Sequence, residues 1–509
     1  MTDGGLEDVL DDYVDGVLER NPHVASVLGD HSRDAEIPDG DRSSIEDEVA
    51  AAQGLLDDLE GFEGFTADVV RDAVEYDVHE MQVLRTWESD PRGVDALISF
   101  VYPLFVREYA PLDTRLEAIA SRLEATPDYL EEVRERVDDP VSLYVDAEID
   151  DCADVAGFLQ VVADAAGDLE RQDVAYRVNA AAEDVVEAFD EHEEWLRGLD
   201  PRDDWRLGAD ELDTKLGMRG LPDHEEVRRL AEAEMSDAHV DLETAADDPR
   251  DALQRVESDL PAPSEVLDEY VEYATRARDL CRERLGVPEG DAVEIRETPS
   301  YARGLLPVAG YLESPPFDGG TAVYYVTPPE NQEVLAEHSR AEVAGRVASD
   351  LYPGDHYRRL HARGHPATSL VGRFNDYGDD LVLGWRDHAE RLAVDAGLHP
   401  DVGFVHARNR IAAAARAYVD VGLQTGDLSV REAASYLSEE TGLPGEEAAA
   451  EARSIARHAG EHVSRVTGAV EIRRLRSRYD GGEAGFARAL LSRGVAPVST
   501  VEREIERTA

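Results

Sequence analysis

The sequence predicts a mainly α-helical fold with a small β-sheet in its C-terminal lobe, and three observations carry that expectation. Apolar residues recur at the three-to-four spacing of one helical face through most of the chain. One stretch, 287 to 330, breaks that texture with Pro, Gly and short β-rich runs such as "AVYYV". Hydrophobic residues make up 42% and charged residues 32% of the 509 positions, a globular balance in a chain long enough to bury a substantial core.

Taken in order, "LDTRLEAIASRLEATPDYLEEVRERV" sets Leu112, Leu116, Ile119 and Leu123 on one helical face. Thr126-Pro127 then reads as the cap and first position of the next helix. Similar patterns fill 150 to 198 and 222 to 286, and the strands follow between 287 and 330. After 330 the helical pattern returns almost to the end, where Ser429 with Glu432 fits a capping box opening "VREAASYLSEE". No clean internal repeat or low-complexity linker interrupts the chain. The expected organisation is therefore an N-terminal helical lobe, 1–290, and a C-terminal lobe, 291–509, with the sheet and long helices.

The charge is very unequal: 112 acidic residues against 51 basic, net -61, with Lys215 the only lysine. Such a chain repels itself in dilute salt, whereas at about 1 M salt the screening length falls to about 3 Å. The composition resembles that of haloarchaeal cytosolic proteins. It argues against nucleic acid and against an anionic membrane surface, both of which need Lys and Arg. It also makes adjacent acids a chance event, which weakens any argument from paired carboxylates. The start, "MTDGGLEDVLDDYVDGVL", lacks a basic region followed by an apolar stretch, and "LISFVYPLFV" is too short to span a bilayer, so a soluble, cytoplasmic protein is expected. Cys152 and Cys281 belong to no CxxC pattern and are expected to be buried thiols. No nucleophile elbow, P-loop or dinucleotide fingerprint occurs, so serine hydrolase, nucleotide hydrolase and dehydrogenase readings have no sequence support.

The densest candidate for chemistry is "ASDLYPGDHYRRLHA", residues 348 to 362. Pro353 has no N–H to bond the carbonyl of Ser349, so with Gly354 it is expected to kink or bulge a helix. A zinc-peptidase helix sets two His on one face with a Glu beside the first, because the metal needs neutral imidazoles and a carboxylate must activate its water. Here those places hold Ser349, Asp350, Asp355 and His356.

With these residues in view, the chain resembles the large helical domain-of-unknown-function family 885, related to gluzincin zinc peptidases and marked by HExxPGHH. "SDLYPGDH" aligns without a gap: Pro353, Gly354 and His356 match, Asp350 replaces Glu, and Ser349 and Asp355 replace His. The family's EGWAxYxExLxxExG resembles "LGWRDHAERLAVDAG", in which Gly384, Trp385, Glu390, Leu392 and Gly397 match and Leu383 stands where the resemblance places a ligand glutamate. RLVVDTGLH resembles "RAYVDVGLQ", with Arg416, Asp420, Gly422 and Leu423 kept and Gln424 in place of His. PGQALSYxxG resembles "AGEHVSRVTG", where Gly460, Ser464 and Gly468 match, Arg465 replaces Tyr, and Leu475 and Arg476 follow as in the family. FHDxLLxxGxxP resembles "FARALLSRGVAP", keeping Phe486, Leu490, Leu491, Gly494 and Pro497 with Ala487 in place of His. The opening "ERNPHVASVLGDH" is similar too, so the resemblance spans nearly the whole chain.

The resemblance implies a gluzincin-metallopeptidase-like helical fold and, for the family, zinc-dependent peptide hydrolysis. In this chain the residues that shape the backbone are kept, while most that would bind metal or move protons are lost. Leu383 cannot coordinate zinc, and the neutral hydroxyl of Ser349 is a poor ligand. The expected function is that of a non-catalytic relative of zinc metallopeptidases, without a cofactor, which retains a peptide- or protein-binding cleft, with an exposed edge of the "AVYYV" strand as one docking place. The alternative is a metal-dependent hydrolase with a divalent ion on a rearranged site of Asp350, Asp355, His356 and His388. Arg476, Arg416 and Arg465 are candidates for gripping a peptide carboxylate, against the plainer reading that each has a structural carboxylate partner. His338, His361 and His365 flank the motif without metal spacing and are expected in surface or capping roles.

Overall fold

The computed structural model describes residues 3–244, 249–317, 319–363 and 376–508. The chain forms two compact units, each discontinuous in sequence. One comprises Met1–Phe62, Asp77–Trp205 and Thr298–Thr327, the other Glu63–Tyr76, Arg206–Glu297 and Pro328–Ala509. These cut the chain elsewhere than the expected boundary at residue 290.

In the first unit four helices build the core: α1 (Val94–Val106), α2 (Leu112–Arg136), α3 (Ser142–Gly167) and α4 (Gln172–Arg197). α4 packs on both α2 and α3, and α1 on α2. The apolar run "LISFVYPLFV" lies in α1, where Leu97, Phe100, Val101, Leu104 and Phe105 are buried. No helix among the described residues is long and apolar enough to cross a membrane. α2 runs unbroken through Pro127, which corrects the expected break. The Thr126 hydroxyl donates to the Arg122 carbonyl at 2.9 Å, and Leu123, Leu130 and Val133 keep one buried face, so packing overrides the missing N–H.

The strands are β1 (Val293–Glu297), β2 (Ala309–Leu312) and β3 (Ala322–Val326), within the stretch the sequence marked. β2 pairs antiparallel with β3 from Ala309↔Val326 to Leu312↔Val323. The "AVYYV" strand offers no exposed edge. Tyr324, Tyr325 and Val326 are buried, and on the side away from β2 the N–H of Thr298 donates to the Val326 carbonyl at 2.9 Å.

In the second unit the elements that matter are α5 (His224–Thr244), α6 (Arg340–Asp350), α7 (Asp355–Ala362), α8 (Asp379–Ala396), α9 (Val402–Thr425), α10 (Ser464–Arg478) and α11 (Glu483–Leu491). α8 packs along α10, and α5 along α9. The α8–α10 crossing depends on two glycines. A Cβ on Gly384 would stand 2.4 Å from a backbone carbon of Gly468, and one on Gly468 would stand 1.8 Å from the Asp380 carbonyl oxygen. Only a bare Cα allows this approach. The expected capping box forms: Ser429 N–H donates to Glu432 at 2.9 Å and Glu432 N–H to the Ser429 hydroxyl at 3.3 Å.

Candidate functional site

The Pro-Gly step breaks the helix outright. α6 ends at Asp350, the Tyr352–Pro353 bond is cis, and α7 starts at Asp355, so Ser349 and His356 belong to different helices rather than to one kinked helix. The Trp385 indole N–H of α8 donates to the Pro353 carbonyl at 2.9 Å, and the Tyr357 ring stacks on Trp385 with centroids 6.1 Å apart. Those two contacts fix α6, α7 and α8 around the motif.

Each polar position of the motif is engaged by a neighbour. Arg386 of α8 donates through Nε to the Ser349 hydroxyl at 3.1 Å and through its fork to the Asp350 carboxylate. Asp355 is buried and accepts from Arg358 at 2.9 and 2.6 Å and from Arg359 at 2.7 Å. Burial alone would raise that carboxyl, but the two guanidinium groups hold it well below the usual carboxylate range. His356 lies edge-on to Tyr352, its Nε2 is 3.4 Å from the Asp291 carbonyl, and burial pulls it down to about 4, so the imidazole is neutral near pH 7. Leu383 is half-buried on α8.

His388 turns to another partner: its Nε2 lies 2.7 Å from Glu483 of α11, which also accepts from Arg476 at 2.7 Å. Burial pushes the Glu483 carboxyl up, but hydrogen bonds from His388 and Arg476 outweigh it and hold the group at about 2. Asp350, Asp355, His356 and His388 thus meet four different sets of partners. Among the described residues no three His, Cys, Asp or Glu side chains gather to hold a metal. The donors present do not fit a zinc ion: one motif position is a hydroxyl, one an aliphatic chain, and both motif carboxylates face guanidinium groups.

Beside the motif, α5, α8, α9 and α10 enclose a charge network. Glu390 accepts from Arg465 at 2.9 Å and from Asn409 at 3.3 Å. Asp387 lies 3.2 Å from His406 and 3.8 Å from Arg473, and Glu234 accepts from Arg410 at 2.5 Å and from Arg473 at 3.1 Å. Glu234, Asp387 and Glu390 are buried. Burial would raise the carboxyls of Glu234 and Asp387, yet their basic neighbours depress both.

The three candidate peptide-gripping arginines each have a carboxylate: Arg465 with Glu390, Arg476 with Glu483, Arg416 with Glu451. Gln424 is structural, receiving the Leu207 N–H at 3.1 Å and donating to the Ala456 carbonyl at 3.0 Å. His338 is buried against Tyr270 with 3.2 Å between Nδ1 and the phenol oxygen, not at the surface. His361 packs on Tyr357, ring centroids 4.7 Å apart, and His365 lies outside the described residues. Cys281 is buried, Cys152 half-buried, and burial pushes both thiols up to about 12.

Sequence reasoning did not single out Arg386, Glu234, Arg410 or Arg473. Arg386 had a signal, since the resemblance implies Ala at its position and Tyr at that of His388 two residues on. The others share no motif and meet only through packing.

The profile of the family described as "Bacterial protein of unknown function (DUF885)" matches residues 22–505. No curated protein matches the chain. Two solved structures share the fold. One is a protein of unknown function from Shewanella oneidensis, described as a lipoprotein, at 16% identity and TM-score 0.76, with 98% of this chain and 99% of that chain covered. The other is from Colwellia psychrerythraea, also described as a lipoprotein, at 14% identity and TM-score 0.82, with 99% of each chain covered.

Proposed function

We propose, from the premise that this chain belongs to the DUF885 family of bacterial proteins of unknown function, that it is a non-catalytic member in which guanidinium groups occupy the electrostatic role a metal ion would have. The single observation that carries the reading is Arg386, which spans Ser349 and Asp350 at the start of the motif. A positive group already compensates the carboxylate that would have to act as a base, and a carboxylate held by a guanidinium is a weak base and a poor partner for a second cation. Glu390 with Arg465 repeats the pattern. Gluzincin ancestry of this frame is part of the same proposal.

The reading extends to binding. Non-hydrolytic capture of a peptide or protein remains the proposed role, but not through Arg416, Arg465 or Arg476, whose forks face internal carboxylates. We also propose that the chain is a salt-adapted cytoplasmic protein that binds neither nucleic acid nor membrane, supported by its net charge of -61. The test of the metal-free reading is calorimetric titration with zinc, manganese and magnesium. The expected result is no stoichiometric binding by the native chain, and one-to-one binding at a micromolar Kd by any of the three ions contradicts it.

A further inference from the structure

The first unit holds a polar cleft of about 490 Å³ whose lining includes Arg20, His23 and Arg136. This lies within the range of small-molecule sites, roughly 300–1,000 Å³. The Nε of Arg20, the Nδ1 of His23 and the Nε of Arg136 are buried without a hydrogen-bond partner among the described residues, as are the Nε atoms of five other arginines, and the Arg136 fork donates to the Gly40 carbonyl at 2.8 Å. This protein has 112 carboxylates, and among the described residues none of them forms an ion pair with the Arg20 or Arg136 guanidinium.

Acids line the same walls, and they divide into two kinds. Asp41 is used, accepting the Ser44 N–H at 2.8 Å at the start of a helix, and Glu48 accepts from Asn21 at 2.5 Å. Asp47 and Asp95 also line the cleft, and among the described residues neither has an ion-pair partner. Arg92, a third guanidinium there, is held by Asp90 at 2.7 Å. Tyr129, half-buried, brings an aromatic ring to the cleft, and the buried Phe100 behind it meets His23 and Tyr129 edge-on at 5.5 and 5.2 Å.

We infer that this cleft binds a zwitterion, a free amino acid or short peptide, with its carboxylate on the Arg20–Arg136 side and its ammonium on Asp47 and Asp95. Two guanidinium groups suit a carboxylate's paired oxygens, and unpaired carboxylates suit an ammonium. A simple anion would meet the donors but would be repelled by the acids and by the field of the chain. A simple cation would leave the donors unmet. The aromatic edges would take an apolar side chain. The inference is independent of the metal-free motif, which belongs to the other unit.

The experiment is calorimetric titration of the full chain, in the lowest salt that keeps it folded, with glycylphenylalanine, its N-acetyl form and its C-terminal amide. Saturable binding of the free dipeptide is expected, with each blocked form at least about tenfold weaker. Arg20→Gln and Arg136→Gln are expected to lose affinity for the free dipeptide and to leave that for the amide unchanged. Asp47→Asn, at an exposed position, reports the ammonium side if either arginine variant fails to fold. Absence of saturable binding up to about 20 mM, equal affinity for free and blocked forms, or native affinity in all three variants overturns the inference.

Discussion

At the scale of single residues, the candidate site is a set of acids and arginines that balance one another's charge. Leu383 and Ser349 offer no metal ligand, and Arg386 and Arg465 supply positive charge beside Asp350 and Glu390. Breaking one such pair exposes its energetics. Arg465→Ala strands Glu390, whose side chain is 3% exposed, and is expected to cost about 2 kcal/mol or more in denaturant unfolding. Arg465→Ala with Glu390→Leu is expected to recover much of that loss; equal destabilisation in the single and double variants would show that the pair is not coupled. His356 gives a pH signature. Its folded-state value of about 4 lies below the ordinary 6.5, so between those limits the unfolded chain takes up a proton that the folded chain refuses. Its contribution is complete above pH 6.5 and falls away toward pH 4, by about 3 kcal/mol for a shift of that size. Unfolding free energies of native and His356→Gln proteins should therefore converge as pH drops through this window. Parallel curves would show that His356 is not buried neutral.

At the scale of elements, residues that carried the sequence resemblance to the family build the frame. The Gly384–Gly468 crossing and the Trp385–Pro353 hydrogen bond hold α8 against α10 and against the broken motif helix. Gly468→Ala is expected to lower stability by more than about 3 kcal/mol or to prevent folding, because the new carbon meets backbone that cannot yield. Gly54→Ala, in the helix Arg42–Asp58 with nothing within 4 Å of the new carbon, should instead stabilise by about 0.5–1 kcal/mol. Thermal unfolding of the two variants separates them, and similar midpoints would contradict the packing account. Much of this level was legible in the sequence: the helical spans, the strand-bearing stretch and the capping box follow from periodicity and turn chemistry. Thr126-Pro127 misled because local capping logic cannot see that Leu123, Leu130 and Val133 share one buried face. The "AVYYV" edge misled because pairing partners distant in sequence leave no local mark. The network of Glu234, Arg410 and Arg473 was illegible for the same reason.

At the scale of the whole molecule, charge and chemistry pull apart. A net charge of -61 implies that stability rises steeply as potassium chloride goes from about 0.1 M to about 1 M, where the screening length shrinks from about 10 Å to about 3 Å. A flat thermal midpoint over that range would remove the salt-adapted reading. The family frame is retained across residues 22–505, but a fold carries no activity by itself. On the proposed reading, metal-dependent peptide hydrolysis would need a metal site and a free base, whereas the motif carboxylates Asp350 and Asp355 face guanidinium groups. The most direct test is hydrolysis of an unstructured polypeptide in molar salt, after loading with zinc, manganese or magnesium, by the native protein and by Asp350→Ala. The account predicts that neither cleaves above the uncatalysed rate. Cleavage by the native protein that disappears in Asp350→Ala would contradict it.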